Sequence, residues 1–430
     1  VTLVVGDWLV TSGVAHADWG VKVADGAIAE VGPARRLRDR YPDSEVISGG
    51  IVAPGFVDSH THLYGVLAHG IPVDAPNGFW SFLNEFWWPR VEDALTTEMV
   101  VAATRLMCAE MLLSGITSFY DIVEAPNTLP GVLLEQRQAV AAAGIRGVLS
   151  FEATERVSTR NGLVGLDENT ELIETCRREG GLVTGLMSFH TVFTCSEGLI
   201  REAFERAESL DVLVHAHVNE GTHEPEWCMA NLGMRTFEYY ESLGLAGPRF
   251  LASQCVQLSE SERRIISETG IRCSHMPLSN CEVGGGIAPV PEQLQAGVTM
   301  GLGSDSYISD FFEVMRGAFL IHKARLMDPT VMPAATVFRM ATEGSAAALG
   351  LEVGRLEAGW PADLQVIDMD MATPVTEHNV FDQLVLWRNR SHVTDVMVDG
   401  VWRVRNREVI GTDVPMLRAK TAEYAEAMWA

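Results

Sequence analysis

Ala53-Pro-Gly-Phe-Val-Asp-Ser-His-Thr-His-Leu63 is a short apolar run, Gly55 to Val57, that ends in two histidines one residue apart, His60 and His62. Alternate residues of a strand face the same way, so the run predicts a strand that presents both imidazoles on one side at its C-terminal edge. That arrangement suits two ligands of one metal ion. A catalytic zinc takes three or more protein groups and keeps a position for water, so the rest of the chain must supply further ligands.

Outward from this strand, the middle of the chain alternates between helical and strand-like text. Helix-like segments at Thr97 to Leu113, Leu133 to Ala143 and Ser196 to Ser209 separate short apolar runs. The runs are Ile116 to Phe119, Arg146 to Ser150, Gly185 to Phe189, Val212 to His217, Phe250 to Ala252, Ile271 to Ser274 and Thr299 to Leu302. With the opening strand these make about eight repeats of strand then helix, which predicts an α/β protein built on a (β/α)8 TIM barrel. Crossovers of this length imply parallel strands, and in such barrels reactive groups sit at strand C-termini.

The two chain ends read differently. Thr2 to Val5, Val21 to Val23 and Ile28 to Val31 are tight strand-like runs, and the same texture returns at Asp363 to Asp368, Val393 to Val398 and Val401 to Val404. The expectation is a small β-sandwich domain made of residues 1–52 and 357–412, a barrel over 53–356 and a C-terminal helix over 413–430.

The remaining ligands are sought at strand exits. Val212-Leu-Val-His-Ala-His-Val-Asn-Glu220 places His215, His217 and Asn219 on one face of an apolar strand, with Glu220 at its exit. Buried polar groups on such a strand are costly unless paired or ligated, which makes His217 the candidate third ligand. His215 reads more readily as a core histidine satisfied by its neighbours. Val298-Thr-Met-Gly-Leu-Gly-Ser-Asp305 puts Asp305 at the last strand exit, where its carboxylate could ligate a metal and hold a proton of a bound water. Three imidazoles and one carboxylate make a mononuclear hydrolytic centre, in which a dication lowers the pKa of water toward neutrality. No strand exit offers a lysine, which favours one metal over two. His190 closes Gly185 to His190, within reach of a substrate, whereas His275 and Asn280 read as loop organisers.

These motifs, in this order, resemble the amidohydrolase superfamily and within it the ATZ/TRZ-type aminohydrolases. The resemblance rests on Pro54 to His62, Gly115 to Ser118, Phe189 to Ser196, His217 to Glu220, Ser274 to Asn280, Gly286 to Pro289, Gly301 to Asp305 and Gly359 to Leu364. Phe86 to Arg90 and Asp310 to Arg316 look closest to SsnA-type aminohydrolases. The resemblance implies His60, His62, His217 and Asp305 as ligands of one divalent metal, zinc first, with iron(II) and manganese(II) accepted by the same donors. It implies Glu220 as the proton shuttle that binds a ring nitrogen of the substrate, and His190 alongside the substrate. It also exposes one departure: where the family carries a histidine after the sixth strand, Leu251-Ala-Ser-Gln-Cys-Val-Gln257 carries Gln254. A glutamine amide orients groups but exchanges no proton near neutral pH, which leaves acid/base work to Glu220 and Asp305.

The functional expectation is metal-dependent cleavage of a C–N bond, most simply deamination of an amino-substituted heterocycle or amidine. Two alternatives stay open. One is an amide or amidine hydrolase for a larger peptide-like or secondary-metabolite substrate, under an aromatic cap of Phe79, Trp80, Phe82, Phe86, Trp87 and Trp88, a cluster that helix packing would also explain. The other is a metal-binding protein with little turnover.

Composition bounds the partners. The chain of 430 residues is 47% hydrophobic and carries 32 basic against 57 acidic residues, a formal net charge of -25. Such a charge repels phosphate backbones, so nucleic acid is not expected as a partner. Seven scattered cysteines without a C-x-x-C pair favour free thiols, and no apolar run is long enough for a membrane span. A cytoplasmic protein with a small-molecule substrate is expected, and the family resemblance adds a homodimer or larger homo-oligomer.

Overall fold

The computed structural model describes residues 1–73 and 78–430. Its strands are β1 (Thr2–Thr11), β2 (Val14–Ala24), β3 (Ala27–Pro33), β4 (Glu45–Pro54), β5 (Phe56–Thr61), β6 (Ile116–Val123), β7 (Arg146–Phe151), β8 (Val183–Gly185) and β9 (Met187–Ser188). They continue with β10 (Val214–Val218), β11 (Phe250–Gln254), β12 (Arg272–His275), β13 (Met300–Leu302), β14 (Leu364–Ile367), β15 (Val393–Val398), β16 (Val401–Arg405) and β17 (Glu408–Val409).

Strands β5 to β13 are parallel and fall into two hydrogen-bonded groups, β5-β6-β7-β8 and β9-β10-β11-β12-β13. One expected strand, Gly185 to Phe189, is split into β8 and β9: the first piece pairs with β7 and the second with β10. A parallel bridge between Ala153 and Phe189 joins the groups on that side. On the other side β13 meets β5, where the Ser59 hydroxyl donates to the Leu302 carbonyl at 2.8 Å and Asp305 N donates to the His60 carbonyl at 3.0 Å. The strands are buried along their whole length in β5, β6, β10 and β11, as expected for parallel strands covered on both faces.

Four of the helices begin at a hydroxyl cap. Thr96, Ser158, Ser196 and Ser259 each accept a hydrogen bond from the backbone N–H three residues on, and Ser259 forms a reciprocal capping box with Glu262. The Thr97–Leu113 helix has the expected bounds.

The chain ends do pair with one another. They form one eight-stranded sheet in the order β17-β16-β15-β14-β4-β1-β2-β3, with β4 the seam between the N-terminal strands and β14. Its junction with the parallel strands is tight. Gly115, at φ +82°, faces Gln365 so closely that a Cβ there would lie 2.0 Å from the side-chain oxygen, and Arg146 pairs with the buried Asp363 at 2.9 Å. The C-terminal helix, Val414–Trp429, lies against Thr97–Leu113, and Trp429 Nε1 donates to the Leu67 carbonyl at 2.8 Å. It thereby braces the turn Leu63–Ala68 that follows His62. All seven cysteines are unpaired. Among the described residues, no helix is long and apolar enough to cross a membrane.

Candidate active site

Three strand exits, those of β5, β10 and β13, bring His60, His62, His217 and Asp305 together. Asp305 Oδ1 lies 3.1 Å from His60 Nε2 and 3.2 Å from His62 Nε2, and His62 Nε2 lies 3.4 Å from His217 Nε2. The His60 and His217 rings are 5.0 Å apart. Asp58 locks the approach: it accepts hydrogen bonds from the N–H and hydroxyl of Ser304, which hold the loop carrying Asp305 against β5. Burial raises the Asp58 carboxyl to about 7 despite those bonds. Asp305 and Ser306 both have positive φ, 54° and 60°, a backbone conformation that costs energy and is concentrated at functional sites.

The imidazoles are oriented from behind. His62 Nδ1 donates to the Ile122 carbonyl at 3.0 Å, which fixes the ring with Nε2 toward Asp305. His217 Nδ1 faces Glu152 Oε1 at 3.2 Å, which turns its Nε2 toward His62. His60 is fully buried and neither of its nitrogens has a hydrogen-bond partner. Burial keeps His60 and His217 below the usual histidine pKa, so both are neutral bases. Burial also works against charge on Asp305, but the His60 and His62 imidazoles outweigh it and hold that carboxyl well below its ordinary range. Buried nitrogens without partners beside an ionised carboxylate are the donor chemistry of a metal site. His60, His62 and Asp305 each offer a ligand atom within 4.8 Å of one another.

His215 is a core histidine. Its Nδ1 and Nε2 each meet a serine hydroxyl at 3.0 Å, Ser188 on one neighbouring strand and Ser253 on the other. Gln254 stands beside the cluster, where its Nε2 donates to Asp305 Oδ2 at 3.0 Å; Ser279 donates to the same oxygen at 2.7 Å. The other amide atom of Gln254, Oε1, is buried without a partner. His190 Nδ1 bonds the Thr194 hydroxyl at 2.8 Å, and burial depresses its pKa to about 4. His275 pairs with His322 at 3.1 Å, away from this point.

A cavity of about 550 Å³ opens on the cluster. His62, His190, His217, Glu220, Gln254 and Asp305 line its floor, and Phe79, Trp80, Phe82, Phe86, Trp87 and Phe193 form its wall. The aromatic segment thus serves both expectations: five of its six rings face the cavity, while Trp88 is buried beneath Arg156, whose guanidinium lies 4.7 Å over the ring. Trp80 stacks on His223 with centroids 3.8 Å apart. Burial, then the nearby Asp305 and Glu124 carboxylates, push Glu220 well above the usual carboxyl range, so it holds a proton.

Sequence reasoning passed over Glu124, Glu152 and Glu92. Glu124 Oε1 lies 3.8 Å from His62 Nδ1 and 3.6 Å from His217 Nε2, and Oε2 accepts from the Tyr64 hydroxyl. Glu152 Oε1 sits between His217 and His190, and Glu92 pairs with Arg156 at 2.9 Å. The first two follow strands β6 and β7 directly, so the strand-exit rule that found Asp305 applies to them as well.

Comparison with known proteins gives the chain's family. Residues 51–403 match the amidohydrolase family. The chain is 34% identical over 406 residues to a 5-methylthioadenosine/S-adenosylhomocysteine deaminase of Syntrophobacter fumaroxidans, covering 92% of this chain and 90% of that one. It is 33% identical over 367 residues to a 5'-deoxyadenosine deaminase of Methanothermobacter thermautotrophicus, with 84% of each covered. Among solved structures, an adenosine deaminase from Xanthomonas campestris with bound zinc superposes with a TM-score of 0.91 at 27% identity, over 99% of this chain and 98% of that one. Zinc-complexed atrazine chlorohydrolase from Arthrobacter aurescens, at 23% identity and a TM-score of 0.84 over the full length of both chains, shares the fold.

Proposed function

The chain belongs to the amidohydrolase family, and from that premise we propose that it is a metal-dependent aminohydrolase removing ammonia from an amino-substituted heterocycle or amidine. The reading includes the finer architecture: a (β/α)8 barrel over residues 53–356, closed between β13 and β5, with a β-sandwich of residues 1–52 and 357–412. The observation that carries the function is the convergence of three imidazoles and one carboxylate beside Glu220 on the floor of a cavity.

His60, His62, His217 and Asp305 are the residues that would hold one divalent ion, zinc first given the zinc-bound structural relatives. Such an ion supplies a Lewis acid and lowers the pKa of water toward neutrality. The chain's own groups do the rest. Glu220 gives its proton to the ring nitrogen next to the reacting carbon, so that carbon accepts a water oxygen without charge building on the ring. Asp305, ionised by its histidines, takes a proton from the attacking water. Asp305 passes that proton to the departing amine, and as the C–N bond breaks the hydroxyl on the attacked carbon returns its proton to Glu220, so the products are ammonia and the carbonyl compound and both carboxyl groups are restored. Gln254 steers Asp305 through the Nε2 bond and leaves Oε1 for a donor on the substrate or water. His190, neutral and fixed by Thr194, contacts the substrate. The aromatic wall excludes water and stacks a flat ring.

Protein loaded with zinc is expected to release ammonia or an amine from at least one member of a panel of purines, pterins, pyrimidines, triazines and amidines; silence across the panel would sink the proposal. The cavity volume of about 550 Å³ and its aromatic wall favour a second reading, hydrolysis of a larger amide or amidine, which the same panel extended with aryl amides separates.

Gln254→His is expected to add an ionisation to the kcat/KM profile. An imidazole serves as a base only when neutral, so activity of the variant falls as pH drops through a pKa of about 6.5, an ionisation that the Gln254 amide cannot contribute to the parent. Superimposable profiles would remove position 254 from proton handling.

A further inference from the structure

The charge of the cavity lining is one-sided. Glu124, Glu220, Glu224, Glu282 and Asp305 line it, and no lysine or arginine does among the described residues. Arg156, a basic residue close by, is spent on Glu92 and Asp93 at 2.9 Å each and covers Trp88 from outside the cavity. Three of the five carboxylates have other work: Asp305 and Glu220 in the proposed chemistry, Glu224 in accepting the Asn219 N–H. Glu282 is exposed at the rim.

Glu124 differs. Its Oε2 is taken by Tyr64, but Oε1 faces His62 and His217 only at 3.8 and 3.6 Å, beyond hydrogen-bond distance. Glu124 and Asp305 flank opposite edges of the His62 ring, one near Nδ1 and the other near Nε2. The second observation is Gln254: it is 1% exposed, lines the same cavity, and keeps Oε1 without a donor. An acceptor on each side, none of the lining residues a fixed cation, and a wall of six aromatic rings together describe a receptor for a flat, positively charged N–H donor.

We propose that the cavity selects substrates carrying a flat cationic group, an amidinium or guanidinium, apart from the neutral carbon–nitrogen centre that Glu220 protonates; Glu124 holds that group across from Gln254, and the aromatic wall stacks it. This rests on the aminohydrolase reading and narrows it, since a substrate with an anionic tail meets no basic side chain here. Recognition by Glu124 is a binding role, separate from the proton chemistry of Glu220.

The test uses three flat ligands of similar shape on the zinc-loaded protein: benzamidine, a cation; benzamide, neutral; and benzenesulfonate, an anion. Binding is read by quenching of tryptophan fluorescence and by titration calorimetry. Benzamidine is expected to bind on the order of 10-fold tighter than benzamide, and benzenesulfonate weaker than either. Glu124→Gln is expected to bring the benzamidine to benzamide ratio close to one with zinc content unchanged. Equal affinities on the parent protein overturn the proposal, and that comparison stands even if the variant does not fold. Loss of zinc in Glu124→Gln would make Glu124 a metal ligand and overturn its assignment. The readout is binding, so a protein that prefers benzamidine yet releases no ammonia from any substrate refutes the deaminase reading alone.

Discussion

Replacing Glu220 with glutamine is expected to lower kcat by on the order of 100- to 10,000-fold, the range for loss of a positioned general acid, and to leave the metal content unchanged. Glutamine keeps the shape and a hydrogen bond but has no proton to give. The effect is large because the site prepares Glu220 for this role: burial and the carboxylates of Asp305 and Glu124 keep it protonated when an exposed glutamate would have ionised. None of the groups holding His60, His62, His217 or Asp305 is Glu220, so metal retention separates loss of chemistry from loss of the centre. Steady-state kinetics with metal analysis on the same preparation decide the matter. A kcat within a factor of about three of the parent would mean that another group delivers the proton.

Asp305→Ala is expected to remove both the metal and the activity, with turnover down by on the order of 1,000-fold or more. Asp305 is the hub of the cluster: one oxygen faces His60 and His62, and the other accepts from Gln254 and Ser279. Truncation leaves two imidazoles facing each other without an anion between them. The fold is expected to persist, because Asp58 holds the Ser304 loop by bonds that do not pass through Asp305. Metal stoichiometry after dialysis and a circular dichroism spectrum check this together. An alanine variant that keeps one equivalent of tightly held zinc would show that the ion sits elsewhere, with Glu124, His62 and His217 the next donor set to examine.

These outcomes bear on how the site was legible. His60, His62, His217 and Asp305 could be found by reading apolar runs and noting the polar residue at each exit, since alternation and burial are properties of local sequence. The same rule covers Glu124 after Val123 and Glu152 after Phe151, but a glutamate after a strand is an ordinary way to enter a loop. Only their distances to His62, His217 and His190 distinguish them. His215 is the reverse case. It shares a strand face with His217, yet Ser188 and Ser253, 27 and 38 residues away in sequence, satisfy both its nitrogens.

The order of strands and helices, the caps on Thr96 and Ser259 and the four residues that cluster beside the cavity, His60, His62, His217 and Asp305, were written in the sequence. Each depends on periodicity or on a contact only a few residues away. Folding in three dimensions decided the rest: the splitting of one strand into β8 and β9, the single sheet in which β4 joins the two chain ends, the bond from Gln254 to Asp305, and the one-sided charge of the cavity. Pairing partners and local electrostatics are set by which distant residues share a neighbourhood, and no stretch of sequence carries that information by itself.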